Sequence, residues 1–435
     1  MSYISNASQN KLINQAFSIP EGEIIFPSID CQAIIEDKHG HHVLLLKGYA
    51  PYKGSICPHC QSKGLIKYGT CFRTIRLLET NGFKTALRVK VQRVLCQRCS
   101  KTAQGTLSFV RKDCNISEYI RRKVMMSFSS NIAMKTLGEQ VNVSASTVMR
   151  ILDKDIPLPR KGKGYLPCHL SFDEFNAGNG TPAAMSFIFS DAKSHRLMDI
   201  LPDRTLRYLR YYFLQFPESV RYQVKTVTMD MYSPYMTLVK DVFPNAKIIL
   251  DNFHIVQHWG RAFQKIRIYL MNALNKGSLE DQKGYRRIKR YWKLLVKDRH
   301  ELIQSEYRHY TLFEGLLNQA QVVERLLSYS PKLREAYNIY QEGLFAFKSR
   351  HIPTFQNLIR QHYDGYLSGF NQPLSTFHKY EDFILNTFAF PYNNGHLEAL
   401  NNKIKTIKKT AYGFRNFIHL KKRCFLQMNR LSAAA

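Results

Sequence analysis

Long apolar runs are missing from this sequence of 435 residues. Its apolar stretches are short and interrupted by charge, and no signal peptide opens the chain, so we expect a cytoplasmic protein that makes no membrane contact.

Acidic residues are also scarce, because 33 Asp and Glu stand against 63 Lys and Arg, which leaves a formal net charge of +30. A surplus this large favours a polyanionic partner, and nucleic acid is the first candidate.

Cysteine is too sparse for a disulfide framework. The chain has nine cysteines, and four of them form the Cys-x-x-Cys pairs Cys57/Cys60 and Cys96/Cys99. This usage indicates a reducing compartment and a metal. Two such pairs have the spacing of tetrahedral Zn²⁺ sites, and four thiolates leave no open position, which favours a structural role. Two alternatives remain, namely His59 as a substitute ligand and a redox-active pair.

Residues 51–104 are predicted to form a zinc ribbon around these cysteines. Two strand-like runs, Thr74–Leu78 and Leu87–Leu95, flank an Asn81-Gly82 turn of the kind that closes β-hairpins. From residue 61 to residue 101 the chain carries ten Lys and Arg and a single acid. We therefore expect this surface to contact the phosphate backbone of a nucleic acid.

Residues 112–156 are predicted to form a helix-turn-helix domain. The first helix of the pair covers Ile132–Val141, Asn142 makes the tight turn because Asn tolerates positive φ, and Ser144 caps the second helix. The second helix of such a motif enters the major groove of DNA. The outward residues predicted to contact DNA are Ser146, Thr147 and Arg150. An ordinary helical hairpin is the alternative.

A second folded region is expected after a linker rich in Pro and Gly at residues 157–164. Residues 165–259 alternate strands with helices, and three of the strand-like runs end at Asp173, Asp230 and Asp251. The order strand, helix, strand implies a parallel crossover. Functional groups in such sheets gather beyond the carboxyl ends of the strands. We therefore predict a mixed sheet with these three aspartates at one edge.

Two longer regions complete the predicted domain organisation. Residues 260–385 have helical patterns throughout, and they are too long for a simple connection, so we predict an all-helical insertion. Residues 386–430 are predicted to return to the sheet domain as its second part. Residues 1–50 remain unassigned.

One helix in this last segment combines a single carboxylate with several cations. From Phe383 onward the chain has nine Lys and Arg but only one acid, Glu398. Apolar residues recur at helical spacing on one face, so Glu398, Lys405 and Lys409 share the opposite face. A carboxylate suits a hard cation such as Mg²⁺, and lysines suit phosphates. A solvated amphipathic helix with an incidental Glu is the alternative.

Asp173, Asp230 and Glu398 together could hold two divalent cations, Mg²⁺ or Mn²⁺. Two metal ions about 4 Å apart activate an attacking hydroxyl and stabilise the leaving oxygen in phosphodiester displacement. Asp251 is an alternative to Asp230 as the second ligand. Four further residues were weighed and given lower weight: Glu174, Asp199, His254 and His258. The two histidines, at i and i+4, more often cap or pack than bind a metal.

The order of these motifs resembles the insertion-sequence transposases of the ISL3 family. The likeness rests on SFDEF, TMDMYSPY, LDNFHIVQH and NNGHLEALNNKIKTIKKTAYGFRNF, and it covers most of the chain after residue 50. That family belongs to the DDE transposases, which have a ribonuclease-H-like catalytic core. The resemblance implies a multidomain protein of mixed α+β and α/β class: a zinc ribbon, a helix-turn-helix, and a ribonuclease-H-like core interrupted by a helical insertion.

The resemblance also implies roles for single residues. Asp173, Asp230 and Glu398 match the three catalytic acids, and Lys405 matches a basic residue expected to touch a phosphate near the cleaved bond. Lys405, Lys408 and Lys409 are the predicted phosphate contacts of this helix. The implied reaction is Mg²⁺-dependent cleavage at transposon ends followed by strand transfer into a target.

The partners implied by this reaction are double-stranded DNA, as terminal inverted repeats and as target, and a second copy of the chain during synapsis. The implied location is the bacterial cytoplasm, in association with the nucleoid. Two other functions remain open. One is a non-enzymatic DNA-binding regulator built on the ribbon and the helix-turn-helix, and the other is a different two-metal nuclease such as a resolvase.

Overall fold

The computed structural model describes residues 6–27, 31–37, 40–158, 163–178, 180–181 and 183–429. The chain divides into two compact units. The first comprises residues 1–160, 178–180 and 402–435, and the second comprises residues 161–177 and 181–401. The division falls between Asn401 and Asn402, whereas the sequence placed all of residues 386–430 with the core. No helix among the described residues has both the length and the apolar character needed to cross a bilayer.

The first unit contains a sheet whose strands run in the order β1-β2-β4-β3, with β5 paired to β4. Its elements are α1 Asn6–Ala16, β1 Gln32–Glu36, β2 His42–Ala50, β3 Leu65–Thr80, β4 Phe83–Cys96 and β5 Thr102–Gln104. Strand β2 is parallel to β4, and the other pairs are antiparallel. Leu87, Val89 and Val91 of β4 are buried because alternate residues of a strand share one face.

The predicted hairpin between β3 and β4 is confirmed. Asn81 and Gly82 both have positive φ, at 52° and 79°, as a two-residue type I′ turn requires. The sequence left residues 1–50 unassigned, but β1 and β2 belong to the same sheet as the hairpin. That pairing escaped prediction because β2 reaches β4 through a parallel contact, which no local turn signals.

Helices α2 to α4 and α16 also belong to the first unit. Their bounds are α2 Glu118–Ser127, α3 Met134–Gln140, α4 Ala145–Asp155 and α16 Phe417–Met428. Asn142 makes the turn between α3 and α4 with φ 58°, and the Ser144 side chain accepts the Thr147 N–H to cap α4, both as predicted. Gly138 permits the close approach of α3 to the turn, because a Cβ there would lie 2.6 Å from the Val143 carbonyl oxygen.

Helix α16 is attached to this bundle by buried polar side chains. Lys422 Nζ donates to the carbonyl oxygens of Leu152 and Asp153, both at 2.9 Å. Arg423 Nη2 donates to the carbonyl oxygens of Ser130 and Ile132, at 3.2 and 3.0 Å. Side chains of α16 therefore bind backbone carbonyl oxygens of the last turn of α4 and of the segment between α2 and α3.

The second unit is built on a five-stranded mixed sheet in the order β10-β9-β6-β7-β8. The strands are β6 His169–Phe175, β7 Ser186–Asp191, β8 Leu197–Leu201, β9 Thr226–Met229 and β10 Lys247–Leu250. Three helices join them: α5 Leu206–Leu214, α6 Glu218–Tyr222 and α7 Ser233–Val242. Strands β6, β9 and β10 are parallel, so the predicted crossover through α7 is confirmed. Phe172 packs on one side of the sheet against Phe213, with ring centroids 5.6 Å apart.

The region predicted to be all-helical contains one short hairpin. Its helices are α8 Asn252–Leu274, α9 Leu279–Leu295, α10 Gln319–Leu327, α11 Pro331–Lys348, α12 Ile352–Ile359, α13 Asn371–Lys379 and α14 Glu381–Ala389. Strands β11 Arg308–His309 and β12 Leu316–Leu317 pair within it, so the prediction was wrong there. Strands of two residues are too short to show an alternating pattern, and the hairpin is held by Tyr310 and Phe313 packing on Tyr291.

Helix α14 covers the β10 edge of the sheet. The Thr387 hydroxyl accepts the Leu250 N–H at 3.0 Å and lies 2.8 Å from the Leu250 carbonyl oxygen, to which it donates. Asn386 Nδ2 donates to the Ile248 carbonyl oxygen at 3.0 Å. The last helix of the predicted insertion therefore protects backbone groups that an open sheet edge would expose. Helix α15, Gly395–Thr410, follows it.

Candidate active site and metal centres

The three aspartates lie near one edge of the mixed sheet. Asp230 immediately follows β9 and Asp251 immediately follows β10, as predicted. Asp173 lies within β6 and not at its end, because β6 continues to Phe175 by pairing with β7. The parallel pairing of β6 with β9 ends at Ser171, so Asp173 stands two residues beyond it. This places Asp173 on the same edge of the sheet as Asp230.

Asp173 and Asp230 line one cavity of about 480 Å³. Its other walls come from the start of α7, from α8 and from the region around α13: Glu174, Met231, Tyr232, Ser233, Tyr235, His254, Gln257, His258, Arg261, Thr376 and Tyr380. Glu398 is not part of this lining, as far as the described residues show. The structure therefore brings two of the three predicted acids to a common cavity.

Both cavity aspartates hold their protons more tightly than usual. Burial raises the pKa of Asp173 to about 7, and the neighbouring Asp230 and Glu174 carboxylates add to the rise. Burial likewise raises the pKa of Asp230 to about 6, with a further contribution from Asp251. Several negatively charged carboxylates close together in a partly desolvated site raise the free energy of the folded protein. A bound divalent cation would offset that increase.

Two asparagines of the α15 region attach this helix to the acidic edge, and the sequence reasoning missed both. Asn401 Nδ2 donates to Asp173 Oδ2 at 2.7 Å. Asn394 Nδ2 donates to the Phe172 carbonyl oxygen at 2.9 Å, and its backbone N–H lies 3.4 Å from Asp251 Oδ1. Their spacing could have indicated these contacts, because residues 394 and 401 are seven positions apart and therefore lie on the same side of a helix.

Glu398 lies between these two anchors on α15 and is exposed. Asn393 Oδ1 accepts the Gly395 N–H at 2.9 Å at the start of the helix, and Gly413, with φ 91°, follows its end. Burial raises the pKa of Asp251, and the Glu398 carboxylate is a further cause of that rise. Glu398 is therefore electrostatically coupled to the acidic edge through Asp251.

The three lysines of α15 differ in exposure. Lys405 and Lys409 are exposed, and Lys405 Nζ donates to Asn402 Oδ1 at 3.3 Å. Lys408 is half-buried, and this burial lowers its pKa. All three belong to the first unit.

The acids given lower weight have structural partners. Glu174 forms an ion pair with Arg204 and accepts the Tyr235 hydroxyl at 3.1 Å. Asp199 is buried on β8 and accepts the Tyr212 hydroxyl at 2.8 Å. Both side chains therefore have a role in packing that needs no cation.

The four predicted zinc ligands converge in the first unit. One sulfur from each of Cys57, Cys60, Cys96 and Cys99 lies within 4.8 Å of the others, and two of the Sγ–Sγ distances are 3.6 Å. Tetrahedral Zn²⁺ with bonds of about 2.3 Å requires sulfurs about 3.8 Å apart. Hydrogen bonds from Ser62 lower the pKa of both the Cys60 and the Cys96 thiols, which favours the thiolates that a metal binds. Burial and hydrogen bonds to the other three cysteines raise the pKa of Cys99 to about 12, so this thiol would ionise on binding the metal. The donor set fits zinc.

The predicted DNA-contacting residues of α4 lie at its first turns. Ser146 and Arg150 are exposed, and Thr147 is half-buried. Arg150 Nη2 donates to Thr147 Oγ1 at 2.9 Å. The guanidinium is therefore held at the N-terminal part of the helix.

The basic surface of the ribbon also carries exposed aromatic side chains, which the sequence reasoning did not predict. Phe72 and Tyr68 of β3 are 58% and 51% exposed, although both are large and apolar. The Arg88 guanidinium lies 4.9 Å from the Phe72 ring centroid, and the Arg93 guanidinium lies 5.6 Å from that of Tyr68. Only the register between β3 and β4 reveals these pairs, because the residues are 16 or more positions apart in the sequence.

Both units match known protein families. A family model of the ISL3 DDE type, described as "Transposase", matches residues 170–424. A model described as "zinc-finger of transposase IS204/IS1001/IS1096/IS1165" matches residues 53–99. The first match spans more than half of the chain and includes the three acids. The second includes all four cysteines of the cluster.

Two curated proteins are similar to the chain over different lengths. The transposase for insertion sequence element IS1001 of Bordetella parapertussis is 24% identical over 384 residues, which cover 84% of this chain and 86% of that protein. An ATP-dependent protease of Lactococcus lactis subsp. lactis is 37% identical over 124 residues, 28% of this chain and 40% of that protein. The chain thus matches less than half of the length of the Lactococcus protein.

The cluster of four cysteines and the acidic cavity each lie inside a matching family model, and both models describe transposases. The chain belongs to the ISL3 family of insertion-sequence transposases. Membership of this family implies a DNA-cleaving enzyme.

Proposed function

We propose that this protein binds the terminal inverted repeats of an insertion sequence, cleaves DNA at the transposon ends and joins those ends to a target. The observation that carries the proposal is the shared cavity of Asp173 and Asp230, beside which α15 is anchored through Asn394 and Asn401. The strand order β10-β9-β6-β7-β8, in which β7 alone runs opposite to the other four strands, supports a ribonuclease-H-like core.

Asp173, Asp230 and Glu398 would hold divalent cations, with Mg²⁺ or Mn²⁺ as the candidates. When bound, these cations would activate the attacking hydroxyl and stabilise the leaving oxygen of the phosphodiester. Asn401 orients Asp173 by donating to Oδ2, which leaves the remaining lone pairs of that carboxylate for a ligand. Lys405 and Lys409 supply exposed positive charge for the DNA phosphates.

The first unit would supply DNA recognition. We propose that α3, the Asn142 turn and α4 form a helix-turn-helix, with Ser146, Thr147 and Arg150 of α4 facing the major groove. The zinc ribbon would bind the phosphate backbone through its ten basic residues between 61 and 101. A second copy of the chain would join during synapsis, because two transposon ends must be held together.

The deciding experiment supplies paired transposon-end DNA and Mg²⁺ and examines the products. Cleaved ends joined to a target would support a transposase. Cleavage without joining would favour another two-metal nuclease, and specific binding without cleavage would favour a DNA-binding regulator. The regulator gives no reason for the raised pKa values of Asp173 and Asp230, about 7 and about 6.

Cation affinity should fall as the pH is lowered. The pKa values of Asp173 and Asp230 are raised to about 7 and about 6, so both carboxylates take up protons between pH 8 and pH 5.5. A cation binds the deprotonated form and must displace these protons. We expect the affinity to drop by about 30–100-fold over this range, as measured by calorimetric titration with Mn²⁺. An Asp173→Asn variant should show a shallower dependence, and an affinity that does not change with pH would contradict the expectation.

Replacing Arg150 by Ala should weaken binding to the inverted repeat by about 5–150-fold, because a side chain that reads a base edge contributes about 1–3 kcal/mol. Binding to unrelated DNA should change little. The measurement is the ratio of the two affinities at fixed salt. Lys135→Ala is the matched control, because Lys135 is an exposed cation on α3. Equal losses on both DNAs for Arg150→Ala would show that α4 makes only phosphate contacts.

A further inference from the structure

A second set of metal-binding side chains shares Asp230 with the proposed site and includes a histidine. Asp230, Asp251 and His254 each offer one ligand atom, and these three atoms lie within 4.8 Å of one another. His254 Nε2 is 3.1 Å from Asp230 Oδ2. Ligands at about 2.1 Å from a six-coordinate ion lie about 3.0 Å apart when adjacent and about 4.2 Å apart when opposite. The set therefore has the dimensions of a cation site.

The backbone brings these three residues together through regular structure. Met229 and Leu250 are paired in the parallel strands β9 and β10, so the residues that follow them, Asp230 and Asp251, leave the sheet side by side. Neighbouring strands are about 4.8 Å apart. His254 lies in the first turn of α8, three residues after Asp251, and therefore returns to the same side. A site held by two strand ends and a helix start is preorganised.

Asn394 supplies a separate observation beside this set. Its backbone N–H lies 3.4 Å from Asp251 Oδ1, the side chain is only 4% exposed, and Nδ2 donates to the Phe172 carbonyl oxygen. Its Oδ1 is buried without a hydrogen-bond donor among the described residues. A residue in contact with Asp251 therefore keeps a buried oxygen whose hydrogen-bonding capacity the described residues leave unused.

Asp251 is the most buried of the three residues. It is only 7% exposed, and it accepts hydrogen bonds from the backbone N–H groups of Asn394, at 3.4 Å, and of Phe253. A buried carboxylate of this kind is usually paired or bound to a metal. His254 is 40% exposed at its side chain and can supply the second kind of ligand atom.

We propose that Asp230, Asp251 and His254 bind a divalent transition-metal cation of the Mn²⁺ class. Carboxylates accept Mg²⁺ and Mn²⁺ alike, whereas an imidazole nitrogen suits transition metals better than Mg²⁺. His254 thereby sets the metal preference of this site. The inference rests on the proposed function only in that Asp230 would then serve both this cation and the one beside Asp173.

The test is a titration of the full-length chain with Mn²⁺, followed by electron paramagnetic resonance. The intensity of the signal from unbound Mn²⁺ gives the affinity. Pulsed spectra show whether a ¹⁴N nucleus is bound to the ion. We expect ¹⁴N coupling in the unaltered protein and its loss in His254→Ala. The Mn²⁺ affinity of that variant should fall by about 10–100-fold. The affinity for Mg²⁺, measured by competition, should change less.

His258→Ala is the matched control, because His258 lies one turn further along α8, lines the same cavity and is outside the three-residue set. It should keep the ¹⁴N coupling. Bound Mn²⁺ without ¹⁴N coupling in the unaltered protein, or equal affinity in His254→Ala, would overturn the proposal and leave His254 as an ion-pair partner of Asp230. The spectrum of the unaltered protein decides the matter even if a variant fails to fold.

The proposed metal site and the proposed reaction can be disproved independently of each other. Coupling to ¹⁴N without any cleavage of transposon ends would support the cation site and contradict the transposase reaction. Cleavage that depends on Glu398, with no ¹⁴N coupling, would support the reaction and overturn the role of His254.

Discussion

Glu398→Gln should abolish cleavage at transposon ends while the protein still binds the inverted repeat. The substitution keeps the size of the side chain and removes the charge that a cation requires. We expect the cleavage rate to fall by about 10²–10³-fold or more, since a group that stabilises charge in the transition state contributes at least that much. The rate is measured on labelled end DNA with Mg²⁺, and DNA affinity is measured separately. Glu398 is exposed, so the change should leave the fold intact.

Glu342→Gln is the matched control for this result, because Glu342 is an exposed carboxylate on α11, far in sequence from the three acids. It should cleave as the unaltered protein does. Cleavage by Glu398→Gln within about twofold of normal would remove Glu398 from the catalytic set. Asp251, whose pKa is raised first by burial and also by the Glu398 carboxylate, would then be the acid to replace next.

Cys96→Ser should remove the zinc and unfold the end of the ribbon that carries the cysteines. Structural zinc contributes about 10–16 kcal/mol of apparent folding free energy in small zinc-finger peptides. Apolar packing replaces it only in part, because β3 from residue 65 to residue 74 has no buried side chain and only β4 is packed there. The opposite half of the hairpin should persist, because Ile75, Leu77 and Leu87 are buried. Zinc analysis and hydrogen exchange by region measure the two effects.

Cys71→Ser provides the comparison for this experiment. Cys71 lies on β3 and is within hydrogen-bond distance of Gln104 Oε1, at 3.4 Å, but it is not one of the four clustered thiols. The Cys71→Ser variant should keep its zinc, and the backbone amides of the hairpin should still exchange their hydrogens slowly. If Cys96→Ser retained zinc, His59 would have to be considered as the replacement ligand. If the whole sheet exchanged rapidly, the metal would stabilise more than the end of the hairpin.

Elements encoded by short-range patterns were predictable from the sequence. The alternation of strands and helices after residue 165 is an example. Strand β10 is a short apolar run that ends at Asp251, and α7 has a Pro in its first turn, and both are local signals. The Asn81-Gly82 turn is another, since both residues tolerate positive φ. The convergence of the four cysteines follows from their spacing for the same reason.

Contacts between distant parts of the chain were not predictable in this way. Asn401 and Asp173 are 228 residues apart, and no sequence pattern near either residue indicates their hydrogen bond. The proximity of Asp230, Asp251 and His254 depends on the register of two parallel strands. The helical spacing of His254 and His258 does not indicate that register. Sequence reasoning therefore gave His254 little weight, although it found the acids on either side.

The attachment of α16 to the bundle has a consequence for shortened versions of the chain. Lys422 and Arg423 donate to backbone carbonyl oxygens of α4 and of the segment between α2 and α3, and both side chains are buried. A version that stops before α16, at residue 416, would lose all of these hydrogen bonds. Such a truncation should therefore destabilise α2 and α4 although it leaves their own residues unchanged.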